Sequence, residues 1–220
     1  MAGRDSTSSA GRRAVPNHIQ APDYAATGVP GAKLPRAQWM IEQHTDEDIE
    51  LARMASRISR EVLDEAGKAV AVGVTTDEID RIVHEETIKR GAYPSPLNYH
   101  GFPRSVCTSI NEVVCHGIPE NRPLLEGDIL NIDVSCFVGE FHGDNSEMFC
   151  VGEVDDAAKQ LIQVTYDAWM AAVNICKPGV PYNEIGGVIE DYVSRYQRQN
   201  LSHLYVYERE RERGIERERD

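Results

Sequence analysis

Two periodicities alternate along this chain. From Thr45 apolar side chains recur at roughly helical spacing, at Ile49, Met54, Ile58, Val62 and Leu63. Thr45 followed by Asp46, Glu47 and Asp48 supplies a cap and an acidic first turn, which predicts a helix to about Ala69 or Ala71 that stops near Gly73. A second helix, capped by Thr75 or Thr76 and carrying Ile79, Ile82, Val83 and Ile88, should end at Gly91. After Pro94 and Pro96 the period drops to two. Two β runs are expected, Ser105–Ile110 and Val113–Cys115, joined through Asn111–Glu112. A third helix should run from Asp155 or Asp156 to about Cys176, with Leu161, Ile162, Trp169 and Val173 on its buried side. Pro178–Gly179 breaks it before a fourth helix, Tyr182–Tyr196.

The segment 127–149 alternates most strongly and reads as a β-hairpin. Leu130, Ile132 and Val134 interleave with Ile129, Asn131, Asp133 and Ser135, so one face is apolar and the other mostly polar. A two-residue turn centred on Val138–Gly139 would pair residues whose numbers add to 277, setting Asp133 opposite Asp144. Their Cβ atoms would lie roughly 4.5–5.5 Å apart, among Asn131, Ser135, His142 and Ser146. Facing carboxylates repel unless a proton or a cation lies between them. A shared proton implies an acid/base dyad, and a cation implies a dinuclear site with ions about 3.5–4 Å apart. The third reading is a solvated hairpin whose aspartates point into water.

An internal repeat is visible. GVTTDEIDRIV (73–83) aligns with GVPYNEIGGVI (179–189) at an offset of 106 residues, each copy lying where one helix breaks and the next begins. A complete second copy would map the β region 97–150 onto 203–256, beyond residue 220. Residues 208–220 instead alternate Glu and Arg, a low-complexity pattern with no apolar face. The expected organisation is a flexible leader over 1–35, an incomplete duplicated domain over 36–196, and an aberrant tail over 197–220 of the kind a translated GA dinucleotide repeat produces.

Composition narrows the function. A net charge of −13 with no basic stripe outside the tail excludes nucleic-acid and anionic-membrane binding. Five cysteines (Cys107, Cys115, Cys136, Cys150, Cys176) without a CxxC pair fit a reducing, intracellular compartment and no zinc finger. No apolar run approaches the roughly 20 residues of a membrane span. His116 ends a β run at a Gly/Pro turn, where an imidazole can polarise a carbonyl or shuttle a proton. The loop of Tyr99, His100, Gly101 and Phe102 is aromatic enough to line an apolar pocket or to join the core, and Cys107 carries the same ambiguity.

Together, PSPLNYHGFPRSVCTSINEVVCHGIP (94–119), NIDV (131–134) and HGDNS (142–146) closely resemble type I methionine aminopeptidases. The resemblance runs from about Tyr24 to Tyr196. It implies an α+β pita-bread fold with internal duplication, its second half incomplete here, and removal of initiator methionine from nascent chains. It implies two divalent metal ions (Co, Mn, Fe or Zn) held in part by Asp133 and Asp144, with Asp144 bridging. It makes His116 the catalytic histidine at the scissile amide, and Tyr99, Phe102 and Cys107 the lining of the methionine pocket. Implied partners are N-terminal Met peptides and the ribosome, met by a monomer. The absence of a Cys-rich leader favours the bacterial and organellar branch, so a mitochondrial or plastid location stands beside a cytoplasmic one. The family completes its site with a histidine and two glutamates from the second half, which have no counterpart here, His203 lacking the flanking glycines. Little activity is therefore expected of residues 1–220. Competing readings are a proline-directed peptidase of the same fold and a metal-free binding protein.

Overall fold

Thr45 opens the first helix as its neighbours require. In the computed structural model, which describes residues 11–31 and 43–196, α1 spans Asp46–Lys68. The Thr45 hydroxyl accepts from the Asp48 amide (3.2 Å) while the Asp48 carboxylate accepts from the Thr45 amide (2.8 Å), a reciprocal capping box. Helix α2 spans Thr76–Lys89 with Thr75 as its cap, and Gly91 takes the left-handed conformation just past its end. Four strands follow: β1 (Tyr93–Pro94), β2 (Cys107–Ile110), β3 (Ile129–Val138) and β4 (Phe141–Cys150). All pair antiparallel with β3, β4 along its whole length and β2 and β1 with its residues 130–133 and 136–137.

The apolar face of β3 builds the core. Leu130, Ile132, Val134 and Cys136 are fully buried against Val62, Leu63 and Ala66 of α1 and Ile79 and Val83 of α2. Helix α1 lies across β3 and β4; Phe149 of β4 packs against Gly67 of the helix, but the helix-facing positions in the middle of β4 are not apolar. Asn145 donates to the Ser56 carbonyl (3.1 Å) and to Ser59, and Glu147 pairs with Arg60 at 2.7 Å. Gly143 completes that face, and a Cβ there would collide with the carbonyl of Ala55.

Three expectations change. Val113–Cys115 is loop rather than strand, because nothing pairs with it and Val114 is almost wholly exposed. The leader is ordered over 11–31, where successive turns bury Ile19 and Tyr24; residues 1–10 and 32–35 lie outside the described residues, as do the tail and His203. The stripe Leu161, Trp169 and Val173 is exposed, and Ala168 and Ala172 are the buried positions of its helix.

That helix, α3 (Asp156–Ile175, capped by Asp155), belongs to a second compact unit beginning at Asp155; the first ends at Val154. A fourth helix covers 183–196. The repeat is visible in the backbone of both units. Gly73 and Gly179 share positive φ (+88° and +91°), and Val74 and Val180 each donate three residues back, at 3.1 and 3.2 Å. Glu78 and Glu184 do the same, both at 3.1 Å.

The approach at Gly143 yields a test. Gly143→Ala should force α1 off the hairpin and destabilise the fold by about 1–3 kcal/mol, read as a lower urea midpoint. An unchanged midpoint would refute the close contact.

Candidate metal centre

The outward face of the hairpin carries the chemistry. The turn falls at Gly139–Glu140, with φ of +58° and +70°, as a two-residue turn with both central residues left-handed requires. Paired residue numbers therefore add to 279, so Asp133 faces Ser146 and Asp144 faces Ser135. This corrects the expected direct opposition of the two aspartates. The pairing moves by two residues, an even number, so both stay on one face as diagonal neighbours.

They still interact. Burial pushes the Asp133 carboxyl up to about 6, helped by the negative charge of Asp144 and a hydrogen bond between the two carboxyls, with His116 opposing. Ser135 Oγ donates to Asp144 Oδ1 at 2.6 Å, orienting that carboxylate. Across β3 on the other side, Cys107 pairs with Asp133. Burial, then the charges of Asp133, Asp144 and Cys115, pushes its thiol up to about 12, so it stays a neutral, apolar wall at ordinary pH. Ser95 Oγ lies 2.9 Å from Nδ1 of His142 on the same hairpin.

His116 is exposed on a loop at φ +54°. Gly117 beside it is tied to β2, its carbonyl accepting from Thr108 N (2.9 Å) and its amide donating to Ser109 Oγ (3.2 Å). Asp128 ties down the loop's ends. Its carboxylate accepts from Arg122 (2.8 and 3.2 Å), the Leu125 amide (2.9 Å) and Asn111 Nδ2 (2.8 Å). Led by Arg122, these bonds hold it down at about 2. Tyr99 and Phe102 stand on the turn Tyr99–Gly101 and just after it, Tyr99 half-exposed and Phe102 half-buried, before the chain enters β2.

The structure thus brings Cys107, His116, Asp133 and Asp144 within electrostatic reach, while the ring contacts of Tyr99 are with Tyr24 and His100. Among the described residues no group of three or more His, Cys, Asp or Glu stands ready to hold an ion. The carboxylate pair fits a hard divalent cation, because it concentrates negative charge that only a proton otherwise relieves. The sequence reading placed Ser135 on this face but missed its bond to Asp144, and Asp128 escaped it altogether. The corrected turn would have set Ser135 opposite Asp144, whereas nothing local marks Asp128.

Known proteins share this chain's sequence pattern and fold. The profile of metallopeptidase family M24 matches residues 50–210. The chain belongs to this family. It is 48% identical over 185 residues to methionine aminopeptidase 1 of Dictyostelium discoideum, covering 83% of this chain and 50% of the relative. Methionine aminopeptidase 1D, chloroplastic/mitochondrial, of Arabidopsis thaliana is 48% identical over 84% of the chain and 52% of its own length. The methionine aminopeptidase of Rickettsia prowazekii superposes with a TM-score of 0.71 at 44% identity, over 72% of this chain and 64% of that one. Prolidase from Pyrococcus furiosus, at 18% identity and TM-score 0.60, shares the fold alone. The M24 chain therefore has the α+β pita-bread fold, and spans about half the length of the curated relatives it matches.

Asp128 sets a pH dependence within this M24 site. Its folded-state value lies below the ordinary 3.8, so its contribution is present above 3.8 and lost as pH falls towards 2. Asp128→Asn should cost on the order of 1–2 kcal/mol at pH 6. In urea melts from pH 2 to 6 the gap to wild type should close at the acid end. A gap independent of pH would refute this role.

Proposed function

We propose that the domain removes N-terminal methionine from peptides and nascent chains using divalent metal, and that residues 43–196 carry its binding half. The observation that carries the reading is the carboxylate pair Asp133–Asp144 on one face of the hairpin, with Asp133 driven towards its protonated form by burial and, next, by the charge of Asp144. Asp133 and Asp144 would hold the metal, with Ser135 fixing the orientation of Asp144. A bound divalent ion supplies Lewis acidity and an acidified water.

The remaining groups act on the peptide. His116, presented by a loop tied to β2 and Asp128, would polarise the scissile carbonyl by hydrogen bonding or pass a proton to the departing amide nitrogen. Cys107, uncharged and buried, gives a thioether side chain a soft apolar wall. Tyr99 and Phe102 supply the aromatic part of that pocket. Among the described residues two carboxylates stand at the site, one fewer than the three protein ligands usual for a catalytic zinc, so these residues support binding better than turnover. In this reading the protein is a monomer that meets nascent chains at the ribosome, in an organelle, as the printed name of the chloroplastic/mitochondrial relative suggests, or in the cytosol.

Titration calorimetry with Mn²⁺ and Co²⁺ tests the proposal. Wild-type chain should bind, and Asp144→Ala should abolish the heat; indistinguishable isotherms would remove the aspartates as a metal site. In the same buffers, brisk release of methionine from Met-Ala-Ser by residues 1–220 would contradict the separation of binding from turnover.

A further inference from the structure

The segment 11–31 is fastened along the entire stretch that carries the aromatic loop. Tyr24 donates its hydroxyl proton to the Ser95 carbonyl (2.7 Å), and its ring meets Tyr99 edge-on at 5.1 Å. The Ala25 carbonyl accepts from Asn98 Nδ2 (2.9 Å) and the Gly28 carbonyl from the His100 amide (2.8 Å). Beneath, Val15, Ile19 and Ala25 pack with Tyr93, Leu97 and Phe137 into a second apolar cluster. At the far end Arg13 and Arg104 share the same two carboxylates. Arg13 bonds Asp80 (2.7 Å) and Asp77 (3.2 Å), and Arg104 pairs with Asp77 at 3.2 Å. His84 bridges the Ala14 carbonyl (3.1 Å) and Ser105 Oγ (2.8 Å).

The held loop needs outside support. Asn98 and His100 adopt φ of +65° and +48°, left-handed conformations that side chains with a Cβ adopt at a cost, smaller for Asn than for His. The loop's own backbone bonds, Asn98 N to Phe102 O and Phe102 N to Tyr99 O, close it on itself but do not fix it to the sheet. Ala25 and Gly28 fix it to the segment 11–31, and Ser95, which accepts from Tyr24 just before the loop, is itself bonded to β3 through its amide and the Ser135 carbonyl (2.9 Å). Gly28 itself is at φ +77°, and a Cβ there would stand 3.3 Å from both oxygens of Asn98.

We infer that residues 13–28 form a clamp that sets the shape of the Tyr99–Phe102 loop, making Tyr24 and Gly28 positioning residues for the side-chain pocket. The loop's connection to substrate rests on the proposed function; its restraint by the clamp does not. Clamping one wall of an apolar pocket sharpens discrimination between side chains of similar volume, because a wall that can relax accommodates either. Residues 13–28 thus act on selectivity through the loop, without touching the peptide.

The test uses the full chain as wild type, Gly28→Ala and Tyr24→Phe. Two quantities are read: hydrogen exchange at the His100 amide, with Ile132 and Val134 as core references, and the ratio of affinities for L-methionine and L-leucine. Gly28→Ala should speed exchange at His100 by about tenfold without changing the β3 references, and should lower the methionine preference. Tyr24→Phe, which deletes one hydroxyl and leaves the ring, should do both to a smaller degree, and it serves alone if Gly28→Ala fails to fold. Unchanged His100 protection in the folded variants overturns the clamp. Faster exchange with an unchanged preference overturns its role in selectivity. A wild-type chain that does not distinguish the two amino acids defeats the proposed function instead, and the clamp then stands or falls on the exchange data.

Discussion

Burial of one face of strand β3 is the constraint on which the rest depends. Leu130, Ile132, Val134 and Cys136 have no exposed surface, and two helices cover them. Because side chains alternate along a strand, committing those four to the core commits Asn131, Asp133 and Ser135 to the other face. Hairpin pairing then brings Asp144 and Ser146 beside them. Asp133 cannot be rotated out of its unfavourable company with Asp144 without exposing the core. The fold itself therefore holds the charge concentration that suits a cation.

Much of this was legible in the chain, and the failures have physical causes. Both caps, Thr45 and Thr75, and the left-handed exit at Gly91 are local effects, written where they act. The turn was misplaced by one residue because Glu140, a residue without the signature of positive φ, takes the second turn position and Val138 remains in the strand. The two readings differ by an even shift, so the face survived while the opposition of Asp133 and Asp144 did not. Strand β4 hid its inner face, since Gly143, Asn145 and Glu147 meet α1 through close approach, hydrogen bonds and an ion pair rather than through apolar contact. In α3 the two small alanines are the buried positions and the larger apolar groups are exposed, an inversion that periodicity does not register.

The leader shows the opposite failure. Its composition resembles that of a loose terminus, and its order comes from partners 64 to 73 residues away in sequence. Arg13, Tyr24 and Gly28 each make one or two contacts that no local pattern announces. The same holds for Asp128, whose three side-chain and backbone partners surround the loop of His116. Chemistry-bearing residues were visible as motifs; the residues that hold them still were not.

Binding of a cation between the hairpin aspartates is the central claim, and paramagnetic broadening locates it most directly. Substoichiometric Mn²⁺ added to isotopically labelled chain should broaden the amide signals of Cys107, Asp133, Ser135 and Asp144 first, leaving those of α1's outer face sharp. Broadening that begins elsewhere, or is spread evenly over the acidic surface, would contradict a built site at Asp133 and Asp144.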